Sequence, residues 1–138
     1  MAHAGQEIEG FGGFRLRFEQ TAAETGGELL EMEGRYPGDS PLPPEHLHPS
    51  QNERFEVLEG TVRALIGNVE RRYGPGEVFE VPAGTPHQMA AEEPAVVRWQ
   101  VRPALRTAEF FEGLYGGAAA ADFAAFLDEF RAEIRFTG

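Results

Sequence analysis

Soon after its first ten residues the chain settles into alternation. Phe14, Leu16 and Phe18 alternate with Arg15, Arg17 and Glu19, the two-residue period of a strand with one face buried. Gly26-Gly27 marks a turn, and Glu28–Tyr36 reads as a second strand. Four prolines lie between Pro37 and Pro44, where they predict a stiff, irregular loop. Strands then follow quickly: Arg54–Glu59, Val62–Ile66, Val69–Tyr73, Glu77–Val81, His87–Ala91 and Ala95–Val101. The breaks between them are rich in Gly and Pro, and Gly67-Asn68 is the two-residue connection of a tight hairpin. Short strands so closely spaced predict a sandwich or barrel.

The period changes near the end. Phe123, Phe126, Leu127, Phe130 and Ile134 recur at helical spacing behind Asp122, and a shorter helix is expected over Thr107–Leu114. Such a tail is expected to cover open barrel surface. A dimer contact or a lid, hinged at Gly116-Gly117, are its sharper roles. With 138 residues and no internal repeat, one core is expected. The expected division is a flexible tail over residues 1–10, a barrel over 11–104 and a helical extension over 105–138.

Charge and composition remove several function classes. Asp and Glu number 23 against 12 basic residues, a net charge of −11, so nucleic acid and anionic membrane surfaces are poor partners. Every basic residue is arginine, which excludes Schiff-base chemistry. Cysteine is absent, which excludes thiolate catalysis and thiolate metal sites. The opening Met1-Ala2-His3-Ala4-Gly5 lacks the basic and apolar regions of a secretory signal, and no run of about 18 apolar residues is present. A soluble, cytoplasmic protein is expected.

Of four histidines, His3 lies in the expected tail and is read as inert. The others fall in two short segments. His46 and His48 stand two apart on an extended stretch, so both imidazoles face one way. The Pro49–Asn52 turn brings Glu53 back beside them, on the same face as Phe55 and Val57. A carboxylate there is costly unless a cation neutralises it. His87 opens the strand after Pro82-Ala83-Gly84; adjacent in the barrel, it completes a set of three nitrogens and one carboxylate.

These segments resemble the two motifs of the cupin superfamily. His46-x-His48, four residues, Glu53, six residues, Gly60 is similar to the first; Gly76, five residues, Pro82-x-Gly84, two residues, His87 is similar to the second. Two positions depart: Pro41–Pro44 replaces a glycine upstream of His46, and Ala91 stands where the pattern closes on Asn. Neither is a ligand position. The resemblance implies an all-β, cupin-type double-stranded β-helix (jelly-roll) barrel, here with a C-terminal helical extension. It also implies one divalent transition metal held by His46, His48, Glu53 and His87. Fe, Mn, Ni, Zn, Co and Cu all suit such ligands.

Strand alternation supplies a candidate pocket of Phe55, Val57, Met89 and Trp99. On the last strand Trp99 is expected inward, since an inward Arg98 would be an unpaired buried charge. Three functions follow as expectations. The first is a dioxygenase, an oxidoreductase acting on a small aromatic or diketone-like molecule, with Glu53 as ligand and base. The second is a non-redox isomerase or cyclase, and the third a binding module without turnover. A homodimer through an edge strand or the tail helices is expected, because an open barrel of this size leaves apolar sheet uncovered.

Overall fold

A computed structural model describes residues 2–137. Met1 and Gly138, the outer ends of the expected tail and extension, lie outside the described residues. In chain order the elements are β1 (Glu7–Glu9), β2 (Arg15–Gln20), α1 (Ala22–Thr25), β3 (Leu30–Tyr36), β4 (His46–Leu47), β5 (Asn52–Glu59), β6 (Val62–Ile66) and β7 (Val69–Tyr73). There follow β8 (Val78–Val81), β9 (His87–Ala91), β10 (Ala95–Arg102), α2 (Thr107–Gly116), α3 (Ala118–Ala121), α4 (Phe123–Glu129) and β11 (Arg135–Phe136).

The strands form two antiparallel sheets, β1-β2-β3-β10-β5-β8 and β11-β4-β9-β6-β7. Alternation and turn spacing predict such a sandwich or barrel, and it is the jelly-roll arrangement that the family resemblance implies. On β5, Glu53, Phe55 and Val57 are buried while Arg54 and Glu56 are not. On β10, Trp99 stands between fully buried Val97 and Val101, with Arg98 on the exposed face.

Two apolar clusters share the interior. One lies between the sheets and includes Phe55, Val57, Val62, Phe79 and Val97. The other joins Leu16, Phe18, Leu30, Met32 and Val101 to Phe110, Phe126, Phe130 and Ile134 of the C-terminal part. The tail helices therefore cover the β2-β3-β10 face, which would otherwise expose those large side chains to water. Trp99 packs against both clusters.

Three departures from the sequence reading have local causes. Inside the expected flexible tail, Glu7–Glu9 pairs with β2, Ile8 opposite Leu16; three residues are too short a window to show a period. Thr21 and Glu24 form a reciprocal capping box that starts the single turn α1, a signal the sequence carries in Thr21-x-x-Glu24. The helix expected to run on to Ile134 stops at Glu129, and β11 pairs instead with β4, Arg135 opposite Leu47 and Phe136 opposite His46. Phe126, Phe130 and Ile134 stay buried because amides of Glu133 and Ile134 fold back onto the Phe130 carbonyl, but Phe123 remains half-exposed.

Candidate metal centre

Each histidine is placed by a strand end. His46 lies in β4 directly opposite His87 of β9, and His48 follows two residues on. Glu53 is the second residue of β5, opposite Val101 of β10 and Val81 of β8. The ligand atoms of His46, His48 and His87 all lie within 4.8 Å of one another, a spacing comparable to nitrogens around a single ion. Glu53 touches two of the three: its Oε1 is 2.9 Å from His87 Nε2 and 3.3 Å from His48 Nε2. The mutual group is the three histidines, with Glu53 at its side.

The ring protons can be assigned by chemistry. His46 Nδ1 is 3.2 Å from the Pro44 carbonyl, His48 Nδ1 2.7 Å from the Glu133 carbonyl and His87 Nδ1 2.8 Å from the Thr85 carbonyl. A carbonyl oxygen can only accept, so each Nδ1 carries the proton and donates it. Each neutral ring then offers its Nε2 lone pair to the centre, the tautomer that backbone carbonyls select in metal sites.

This leaves lone pairs facing a carboxylate. Among the described residues, His48 Nε2 and Glu53 Oε1 are buried and have no hydrogen-bond partner. Buried groups of this kind are normally satisfied, and a cation at the shared centre would satisfy the whole set at once. The donor set therefore fits a divalent ion. Glu53 Oε2, by contrast, accepts a 2.8 Å hydrogen bond from Trp99 Nε1, which turns Oε1 toward the imidazoles.

In the metal-free chain a proton on His87 Nε2 takes the cation's part, shared with Glu53 Oε1 at 2.9 Å. Burial pushes the His46 ring down from the ordinary 6.5 to about 4, and the neighbouring His87 and His48 push the same way. Burial alone would lower His87 and raise Glu53. Their mutual contact outweighs it, with help from Thr85 and from His48 and Trp99, so His87 is raised and Glu53 lowered.

A pH profile follows. His87, being raised, contributes stability that is present below pH 6.5 and lost as pH climbs through its folded value. His46, being depressed, works in the other direction: between about 6.5 and about 4 the unfolded chain takes up a proton that the folded one refuses, so stability falls with acid. Chelator-treated protein should therefore be most stable near pH 6.5 and lose stability on both sides. Excess Zn2+ should remove the alkaline decline, because the metal replaces the His87 proton. Melting curves from pH 5 to 8.5 with and without Zn2+ check this; identical profiles would contradict it.

The other candidate residues fall into two groups. Phe55 and Val57 are fully packed, whereas Met89 and Trp99 are half-buried. Phe55 stacks between Phe79, at 4.9 Å, and Trp99, at 5.3 Å, and Phe79 stacks on Tyr73 at 4.3 Å. Trp99 thus serves both the aromatic row and Glu53. Trp99→Phe should keep the stack and strip Glu53 Oε2 of its donor, costing about 2 kcal/mol in chelator-treated protein. Urea unfolding at pH 7 measures it; an unchanged midpoint would mean that water replaces the indole.

Sequence reasoning missed the contribution of the C-terminal part. Gln51, on the turn before Glu53, donates to the Pro103 and Ala104 carbonyls and to Thr107 Oγ1 at 2.9, 3.1 and 2.8 Å. Glu133 supplies the carbonyl on His48, and Phe136 brings its ring to 6.1 Å from that of His46. A contact made by a peptide carbonyl leaves no mark in side-chain spacing.

Barrel, paired motifs and clustered imidazoles define a class, and comparison agrees: a family described as Cupin domain matches residues 33–101. The chain belongs to the cupin superfamily. Solved structures with the same fold include an RmlC-like cupin from Shewanella frigidimarina, 19% identical, with a TM-score of 0.63 over 72% of this chain and 86% of that one. KdgF from a Halomonas species is 21% identical, with a TM-score of 0.59 over 66% and 79%. The DMSP lyase DddQ from Ruegeria pomeroyi is 28% identical, with a TM-score of 0.51, over 57% of this chain but only 40% of its own. No match was found among curated proteins. Among the described residues, no helix is long and apolar enough to cross a membrane.

Proposed function

We propose that this cupin binds one divalent transition metal through His46, His48, His87 and Glu53 and acts as a dioxygenase on a small aromatic or diketone-like molecule. The observation that carries the metal reading is the pair of orphaned buried atoms, His48 Nε2 and Glu53 Oε1, beside imidazoles whose Nδ1 protons are already committed. Iron or manganese is the first choice for the redox role. Such an ion supplies Lewis acidity and one-electron chemistry with dioxygen.

The chain's own groups do the rest. Glu53 Oε1 lies beside the centre, 2.9 Å from His87 Nε2, and can accept a proton from an acidic hydroxyl or enol of the substrate. Trp99 holds that carboxylate in place through Oε2. Trp99 and Met89, half-buried against the apolar cluster between the sheets, would give a flat, weakly hydrated ring its apolar contact. Within this reading the partners are the small-molecule substrate and a second copy of the chain.

One observation favours a second reading, non-redox chemistry at the same site: a relative at 28% identity is named a lyase. Oxygen uptake separates the two. Untagged protein should carry iron, manganese or copper and consume dioxygen when supplied with catechol-like or diketone compounds. Stoichiometric zinc with no uptake would reject the dioxygenase.

A further inference from the structure

The three imidazoles are not oriented alike. His46 and His87 donate to carbonyls two residues upstream on their own segments, Pro44 and Thr85. His48 donates to a carbonyl 85 positions away, that of Glu133, in a buried contact of 2.7 Å. Its ring angle is therefore set from the C-terminal extension.

Glu133 is anchored from both directions. Its side chain is 5% exposed, and Oε2 accepts the Arg106 amide at 3.3 Å. That amide opens the ten-residue α2, where the helix dipole favours a negative charge. Arg106 is itself fixed by Glu129 at 2.9 Å and lies over the Phe130 ring at 4.7 Å. The Glu133 amide donates to the Phe130 carbonyl at 2.9 Å. On the far side, β11 pairs with β4, and the Thr137 amide reaches the Glu45 carbonyl at 3.1 Å. Burying a carboxylate against one peptide amide is costlier than burying an apolar side chain. What the carboxylate adds is a fixed direction for the Glu133 peptide.

We propose that Glu133 is a positioning residue of the metal centre: its carboxylate, held on the Arg106 amide, fixes its own carbonyl on His48 Nδ1, so that His48 presents Nε2 to the shared centre. The inference rests on the metal reading above for its consequence, though not for its geometry. Losing an outer partner of this kind weakens metal binding by roughly 10- to 100-fold.

The test compares full-length wild type with Glu133→Ala, Glu133→Gln and Glu133→Asp. Glutamine keeps an acceptor oxygen of the same reach. Aspartate keeps the charge but falls one methylene short, and it serves where the alanine variant is recovered unfolded. Two readouts are taken: the His48 tautomer by long-range 15N–1H NMR in chelator-treated protein, and the Co2+ dissociation constant by chelator competition. Wild type and Glu133→Gln should show a single Nδ1–H tautomer and affinities within a few-fold. Glu133→Ala and Glu133→Asp should show a tautomer mixture and binding weakened by roughly 10- to 100-fold. Lower thermal stability with an unchanged tautomer and affinity would assign Glu133 to packing alone and overturn the proposal. Should wild type take up no Co2+, the metal reading falls, and the tautomer comparison still decides what Glu133 does.

Discussion

His87→Ala should be isolated without metal and still folded. The imidazole is one of three in the group, and its Nε2 also faces Glu53 Oε1 at 2.9 Å. Structural sites with four ligands bind with about 10–16 kcal/mol; an even share puts each ligand near 3 kcal/mol, a loss of at least about 100-fold. The cost to folding is much smaller. His87 is the first residue of β9, and its ring lies beside other imidazoles instead of inside either apolar cluster. In chelator-treated protein the change removes one hydrogen bond and the partner of a buried carboxylate, about 1–3 kcal/mol. Elemental analysis of untagged protein and near-ultraviolet circular dichroism check both halves. A variant that keeps stoichiometric metal would mean that His87 is not a ligand.

Gly60→Ala should do the opposite, damaging the fold while leaving the centre's ligands untouched. Gly60 closes the first motif with φ of +78°, and a Cβ there would overlap the Pro94 carbonyl and lie 2.8 Å from Ala95 Cα. Left-handed backbone costs a non-glycine residue roughly 1–2 kcal/mol, and forcing atoms into a packed region adds about 1–3 kcal/mol. Nothing nearby yields cheaply, because the obstacles are main-chain atoms leading into β10, next to the Val96–Val97 irregularity in its pairing with β5. The sum is about 3 kcal/mol, a fall in melting temperature of roughly 10 °C. Thermal unfolding measures it. A drop below about 1 kcal/mol would show that the turn relaxes more freely than this packing allows.

Much of this architecture is legible in the sequence, for identifiable reasons. Phe14 to Glu19, Glu53 to Val57 and Val97 to Val101 alternate because one face of each strand meets a core, and the structure buries those faces. His46 and His48 share a face because the strand period acts over so short a span. His87 joins them through one cross-strand pair that the motif resemblance implies and spacing alone leaves open. Where pairing is short, the sequence is silent. β1 and β11 are three and two residues long, and what makes them strands is a free edge, on the neighbouring β2 for one and on the far-off β4 for the other. The spacing of Phe126, Phe130 and Ile134 reads as one helix, but it reports only that three side chains share a buried side, and a helix followed by a turn satisfies that too. Trp99 is legible as inward-facing, while its hydrogen bond to Glu53 depends on a diagonal across β5 and β10 that spacing does not reveal. The Glu133 carbonyl, which every residue type possesses, is invisible to any reading of side chains.

A cation shared by four side chains is tested most directly by anomalous diffraction from crystals grown with Co2+. Data collected at the cobalt edge should give one strong peak per chain, enclosed by Nε2 of His46, His48 and His87 and by Glu53. No peak there, or a peak only at His3 or on the acidic surface, would contradict the account.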